Sequence, residues 1–187
     1  MGAGVTLWPN ASFVLEELGL LQDIDAIGGR PLAMHRQDAA GNALGGLDIA
    51  LLDRTMGYPT YTVLRRHLQE VLLDHVARAG TPVAFGHRAV GIELDADGKA
   101  VAHFENGASI RPDLLIGADG RMDSVARKFV AGDNTPVYQG FVNWIGVAQG
   151  QHALVDGISI QDFWGAGERF GCVAIRPQLV YLSLIHI

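Results

Sequence analysis

An apolar run that ends in two glycines flanking an aspartate, Asp113-Leu-Leu-Ile-Gly-Ala-Asp-Gly120, constrains this chain more than any other segment. Asp113 to Ile116 reads as a buried strand, and Gly117 to Gly120 as the turn that ends it. A helical pattern over Met122 to Val130 follows at once. Strand, Gly-rich turn and helix, in that order, is how α/β proteins aim backbone N–H groups at a phosphate. The Asp119 carboxylate would then stand where a ribose-like polyol could be held by hydrogen bonds. A plain strand-ending turn with a satisfied aspartate explains the same letters. On this segment alone both remain open.

A chain of 187 residues can bury one domain well, or one domain and part of a second. With 49% hydrophobic and 18% charged residues it is globular, not disordered. A net charge of -6, a pI near 5.5 and no Lys/Arg cluster exclude a nucleic-acid footprint. The single cysteine, Cys172, excludes a disulfide framework and a Cys-based metal site, and points to a reducing, cytoplasmic setting. The seven histidines are scattered with no ligand-like spacing, so no metal site is expected. No apolar run approaches the roughly 20 residues that span a bilayer, and Met1 to Pro9 lacks a signal-peptide pattern.

Along the chain, Gly2 to Leu7 reads as a Gly-rich entry into a short strand closed by Pro9-Asn10, with Asn10 as a helix N-cap. Helical spacing covers Ala11 to Leu18, ended by Gly19, and a short turn of helix covers Leu20 to Ile27, stopped by Gly28-Gly29. Leu32 to Leu52 alternates around Ala39 to Asn42 and predicts two antiparallel strands. Tyr61 to Ala79 predicts the longest helix, with Val63, Leu64, Leu68, Val71, Leu72 and Val76 on one stripe. Val83 to Gly86 predicts a short strand. Val90 to Leu94 and Lys99 to Phe104 predict a hairpin over Asp95 to Gly98, with a further strand over Ser109 to Arg111. From Val137 onward the pattern is strand only, Gly- and aromatic-rich.

That shift near Gly132 divides the chain into a 1–132 portion and a β-rich 133–187 portion, with the strands near 32–56 as an insertion that joins the second. Both ends read as cut. The G-x-G-x-x-G opening of a dinucleotide-binding unit is missing, since Gly2-Ala3-Gly4 lacks the third glycine. Whether Ser183 to Ile187 are native sequence is left open.

Taken in order, these features resemble the FAD-dependent aromatic-ring hydroxylases, the flavoprotein monooxygenases of the para-hydroxybenzoate hydroxylase fold. Within them the chain is most similar to the FAD-dependent urate hydroxylase-like branch. The residues that carry the resemblance are Gly2-Ala3-Gly4, Pro9-Asn10, Leu18-Gly19-Leu20, the R-x-x-L from Arg65 to Leu68 and the whole of Asp113 to Gly120. Gly140-Phe141-Val142-Asn143-Trp144 and Gly167-Glu168-Arg169-Phe170-Gly171 extend it toward the C-terminus, with Tyr181 at a usual aromatic position. One departure stands out: Asp123 occupies the position where the pattern has serine, and Ser124 and Arg127 come one residue later.

The resemblance implies an α/β (α+β) fold: a Rossmann-like FAD/NAD(P)-binding domain incomplete at its N-terminus and a β-rich substrate domain incomplete at its C-terminus. It implies hydroxylation of a small aromatic or heteroaromatic substrate with NAD(P)H and O2, through a C4a-hydroperoxyflavin. No catalytic side chain or metal is required of the protein in that scheme. Cofactor contacts fall to Gly2, Gly4, Arg65, Ala89, Asp119 and Gly120. Arg66 competes with Arg65 for the pyrophosphate, Gly2 and Gly4 also fit a plain turn, and Ala89 would meet adenine only through its backbone. Arg169 and Tyr181 would position the substrate, against the alternative of a surface arginine and a core tyrosine. Trp144 and Trp164 read as core or pocket wall, and Cys172 as a small buried hydrophobe. Two alternatives to the monooxygenase remain: a same-fold flavoprotein oxidoreductase with another substrate, and an inactive fragment.

Overall fold

The computed structural model describes residues 3–155 and 157–186. Their elements run β1 (Gly4–Leu7), α1 (Pro9–Glu17), α2 (Leu21–Ile27), β2 (Ala33–Asp38), β3 (Ala43–Asp48), α3 (Ile49–Met56), β4 (Tyr61–Leu64) and α4 (Arg65–Arg78). Then come β5 (Ala89–Leu94), β6 (Ala100–Phe104), β7 (Ser109–Ile110), α5 (Val125–Ala131), β8 (Val142–Gln149), β9 (Ile160–Gly165), β10 (Glu168–Arg176) and β11 (Leu179–His186). The class is mixed α/β. Two compact units form, one from residues 1–81 and 140–187 and the other from 82–139. The boundary expected near Gly132 coincides with the end of α5, where Gly132 adopts φ 76°.

In the first unit β1 and β4 pair antiparallel, from Gly4 opposite Leu64 to Leu7 opposite Tyr61. A six-stranded sheet runs in the order β3-β2-β9-β10-β11-β8. All its pairs are antiparallel except β2 with β9, so the 33–48 hairpin belongs to the same sheet as the C-terminal strands. The strand pair and the sheet meet closely. Thr62 Oγ1 donates to the Ala174 carbonyl at 2.6 Å, and a Cβ on Gly29 would run into the Ile175 carbonyl. One apolar cluster joins Leu15, Leu20, Ile24, Tyr61 and Val63; another joins Ile49, Ile160 and Val173, with Trp8, Met34 and Tyr181 against it. No helix among the described residues is long and apolar enough to cross a membrane.

The helix expected from Tyr61 begins only at Arg65. Tyr61 to Leu64 are buried on both faces, which suits aromatic and β-branched residues in a paired strand better than a one-sided helical stripe. The strand expected to reach Leu52 stops at Asp48, whose carboxylate accepts the Leu51 N–H at 2.8 Å and caps α3. The first helix starts one residue before the expected Asn10 cap, with Trp8 as N-cap and Pro9 inside.

The second unit holds the three-stranded antiparallel sheet β5-β6-β7 with α5 against β5. Asp113 to Ile116, read as a buried strand, is irregular here, with Leu114 76% and Ile116 78% exposed. A strand exists only where a neighbour completes its ladder, and no described residue does so. Val83 to Gly86 likewise forms no strand and has no partner among the described residues.

Candidate functional site

Period-two geometry of the six-stranded sheet assembles a charged face. Arg169 on β10 lies opposite Trp164 on β9, Gly171 lies opposite Asp162, and Asp162 lies opposite Arg36 on β2. These positions therefore share one side of the sheet. The Asp162 side chain is 4% exposed. Its Oδ1 is 2.6 Å from Arg169 Nε, its Oδ2 is 3.6 Å from Arg36 Nε, and Trp164 Nε1 donates to Oδ2 at 2.8 Å. The Arg36 guanidinium lies 4.5 Å from the Trp164 ring centroid, a cation–π contact. Among the described residues neither Asp162 Oδ1 nor Arg36 Nε has an aligned hydrogen-bond partner, so the ion contacts are close but not well directed. Beside the network opens a recess of about 350 Å³ whose walls include Phe141, Trp164, Arg169 and, on its rim, the exposed Glu168. Gly167, at φ 77° in the β9–β10 turn, lets the chain reverse there.

Tyr181 shares this face, opposite Val173 on β10 and two strand pairs along from the level of Gly171. Arg169 and Tyr181 are thus on adjacent strands and on one face, joined through the turn at Pro177-Gln178, but not directly opposite each other. The phenol oxygen lies 2.7 Å from Thr6 Oγ1 on β1. Burial pushes the phenol above its ordinary range, against the opposing pull of the Thr6 hydrogen bond and the Arg169 charge. The Tyr181 ring also occupies the space where a Cβ on Gly4 would point. Close packing of Tyr181 therefore accounts for the glycine at position 4. Gly2 lies outside the described residues.

Arg65 opens α4, its backbone N–H bonded to the Ala3 carbonyl at 3.0 Å, and its side chain is exposed with no ion pair among the described residues. Arg66 instead approaches His67 Nε2 at 3.1 Å. Burial raises the Cys172 thiol, as expected of a half-covered side chain.

In the second unit Asp119 is tied into its own turn. Ser124 Oγ donates to Asp119 Oδ1 at 2.6 Å, and the Ala126 N–H donates to Oδ2 at 3.1 Å. These two donors, the hydroxyl first, hold the carboxyl below its ordinary range. Ser124 also caps α5 by accepting the Arg127 N–H at 2.9 Å. Arg127 closes the loop by donating to the carbonyls of Gly120 and Arg121. The shifted serine and arginine thus work at their new positions. Gly120 has φ 93° with open space around it, whereas a Cβ on Gly117 would strike Ala126. Ala89 begins β5 opposite Phe104. Gly4 and Arg65 belong to the first unit; Ala89, Asp119 and Gly120 belong to the second.

Several observations fit a flavin dinucleotide. The backbone N–H groups from Leu114 to Ala118 and of Gly120 donate to no described residue, and a recess of about 320 Å³ is lined by Gly117, Asp119, Gly120, Ser124 and Arg127. Within the second unit, open backbone donors beside a glycine suit phosphate groups; within the first, the guanidinium of Arg65, without an ion pair among the described residues, suits a phosphate by itself.

Sequence reasoning missed Asp162 and Arg36. The signal was present for Asp162: alternation places Ile160, Asp162 and Trp164 on one side of β9, and a carboxylate in such a row needs cationic partners. Arg36 could not be found that way, because its parallel pairing with β9 spans a long stretch of chain.

A family model described as an FAD binding domain matches residues 5–182. An FAD-dependent urate hydroxylase of Klebsiella pneumoniae is 35% identical over 185 residues, 97% of this chain and 47% of that protein. One of Mycolicibacterium vanbaalenii is 29% identical over 186 residues, 97% of this chain and 46% of that protein. The structure of Klebsiella pneumoniae HpxO complexed with FAD and uric acid aligns with a TM-score of 0.83 at 32% identity, covering 99% of this chain and 47% of that one. The chain spans about half the length of the curated relatives it matches.

Proposed function

The chain belongs to the FAD-binding domain family, and from that premise we propose that the protein carrying it is an FAD-dependent monooxygenase. Its substrate is a small, planar, anionic aromatic or heteroaromatic molecule, with urate as the candidate suggested by the relatives' names. Residues 1–132 contribute to the FAD-binding domain, except that the strands near 32–56 join the substrate domain, which residues 133–187 begin. NAD(P)H and O2 are the co-substrates, and the setting is reducing and cytoplasmic, which the single cysteine supports.

Bound FAD would supply the redox chemistry, taking electrons from NAD(P)H and passing one oxygen atom of O2 to the substrate. The chain's own residues hold and orient. Arg65 would neutralise the pyrophosphate, and the backbone at Gly120 and Ala89 would approach the dinucleotide closely. Asp119 would act mainly by fixing that turn, since Ser124 and Ala126 already engage its oxygens. At the sheet face Arg169 would hold the anion with a charge-assisted hydrogen bond, worth about 1.5–3 kcal/mol. Tyr181, fixed by Thr6, would bound the substrate plane, and Phe141 and Trp164 would exclude water.

The observation that carries this proposal is an arginine-edged aromatic recess on the sheet of an FAD-binding-family chain. The test is oxidation of NAD(P)H by the purified, FAD-loaded whole protein with and without urate. Urate-stimulated oxidation with a hydroxylated product is expected. Oxidation indifferent to urate, with no product, would count against the substrate.

A further inference from the structure

We propose that Asp162 is a positioning residue that holds Arg169 and Arg36 as one fork and sets the charge that the sheet face offers to its ligand. The inference rests on the substrate face proposed above and adds to it a second cation, an orienting anion and a required charge. Asp162 is almost fully buried, yet it faces two guanidinium groups through their Nε atoms. A guanidinium carries five N–H donors, and both Nε contacts to Asp162 are ionic approaches without an aligned hydrogen bond. Among the described residues, no terminal nitrogen of Arg36 or Arg169 makes a hydrogen bond. Both side chains remain about one-third exposed, at 36% and 37%. The buried carboxylate therefore grips the two arginines by their inner atoms and leaves their outer donors unspent.

The indole of Trp164 completes the arrangement. Its N–H anchors Asp162 Oδ2, and its ring carries Arg36 at 4.5 Å. One side chain thereby fixes the direction of the carboxylate and of the second cation. Two guanidiniums and one carboxylate leave a single net positive charge. A planar monoanion matches that charge; a neutral ring leaves it unbalanced, and a dianion exceeds it. Glu168 on the recess rim belongs to the opposite strand face and is solvated, so it opposes the field only weakly.

The experiment uses the FAD-loaded whole protein and urate, a monoanion at neutral pH, as probe. Urate affinity is read by calorimetry, and product per NAD(P)H consumed is read in the same preparations. Asp162→Asn keeps the shape and the Trp164 acceptor but removes the anion. Urate should bind as tightly or more tightly, because the face gains positive charge. Product per NAD(P)H should fall about tenfold or more, because the fork loses its direction. Arg36→Gln, at a partly exposed position, leaves Asp162 to neutralise Arg169 alone. Urate affinity should then fall about tenfold, the equivalent of one charge-assisted contact.

Unchanged coupling in Asp162→Asn would overturn the proposal, as would parallel losses of affinity, coupling and melting temperature, which mark a structural residue. Should Asp162→Asn fail to fold, Arg36→Gln decides, and unchanged urate affinity there overturns the shared fork. An Arg169→Ala variant with parental affinity and coupling would instead sink the substrate reading beneath it. So would an unmutated protein that does not bind urate.

Discussion

Two aspartates separate the two units by how each carboxylate is satisfied. Asp119 sits in an exposed turn and is held by partners five and seven residues away, the Ser124 hydroxyl and the Ala126 N–H. Asp162 is buried in a sheet and is held by side chains from β2, β9 and β10. The first is a local device, cheap to form and wet on one side. The second depends on the whole sheet being in register, because slipping any strand by one residue would turn its member to the other face. A local motif announces itself in the sequence, whereas a long-range cluster leaves no motif to read.

The same contrast extends to packing, and core substitutions should break it most forcefully. Ile24 is fully buried in the first unit, and Leu114 is largely exposed in the second. Ile24→Ala should cost about 2–5 kcal/mol in denaturant unfolding, whereas Leu114→Ala should stay within about 0.5 kcal/mol. Equal costs would mean that the two units are packed alike. Gly4→Ala should come next, costing about 1–3 kcal/mol by forcing the Tyr181 ring aside. A melting temperature equal to that of the parent would show that the ring can yield freely.

Within the second unit, Ser124→Ala removes the cap of α5 and the first partner of Asp119. A loss of about 1 kcal/mol is expected, visible as faster amide exchange at Arg127 if the cap is as drawn. The smallest effect is the acid response of Asp119. Its folded-state pKa is lowered, so its contribution is present in full above the unfolded value of about 3.9. That contribution drains away as pH falls through the folded-state value. Asp119→Asn should flatten this acid limb and leave neutral stability nearly pH-independent; an unchanged limb would assign acid sensitivity to other carboxylates.

Most of the elements were legible because their signals are local. Alternation around Ala39 to Asn42 marked the β2–β3 hairpin, Asp95 to Gly98 marked the β5–β6 hairpin, and Gly19 and Gly80 ended their helices with positive φ. Tyr61 to Leu64 was misread because its apolar letters also fit the stripe of the helix that follows. Burial on both faces, which only the pairing with β1 creates, decides for strand. Asp113 to Ile116 failed in the other direction, since a strand-like composition cannot supply a neighbour. The site divides the same way. The placement of Arg169 and Tyr181 on adjacent strands was legible from the turn at Pro177-Gln178, while the approach of Arg36 to Asp162 required the register of three strands at once.

The measurement closest to the central claim is product formed per NAD(P)H consumed by the FAD-loaded whole protein with Arg169→Ala, using urate. Arg169 is held at Asp162 and edges the recess, so its loss should leave the substrate untethered while reduction of the cofactor proceeds. The account predicts that NAD(P)H oxidation continues and the product ratio falls by about tenfold or more, since a displacement of about 1 Å can cost about a hundredfold in rate. A ratio equal to that of the unmutated protein would contradict it and move the substrate site away from this face.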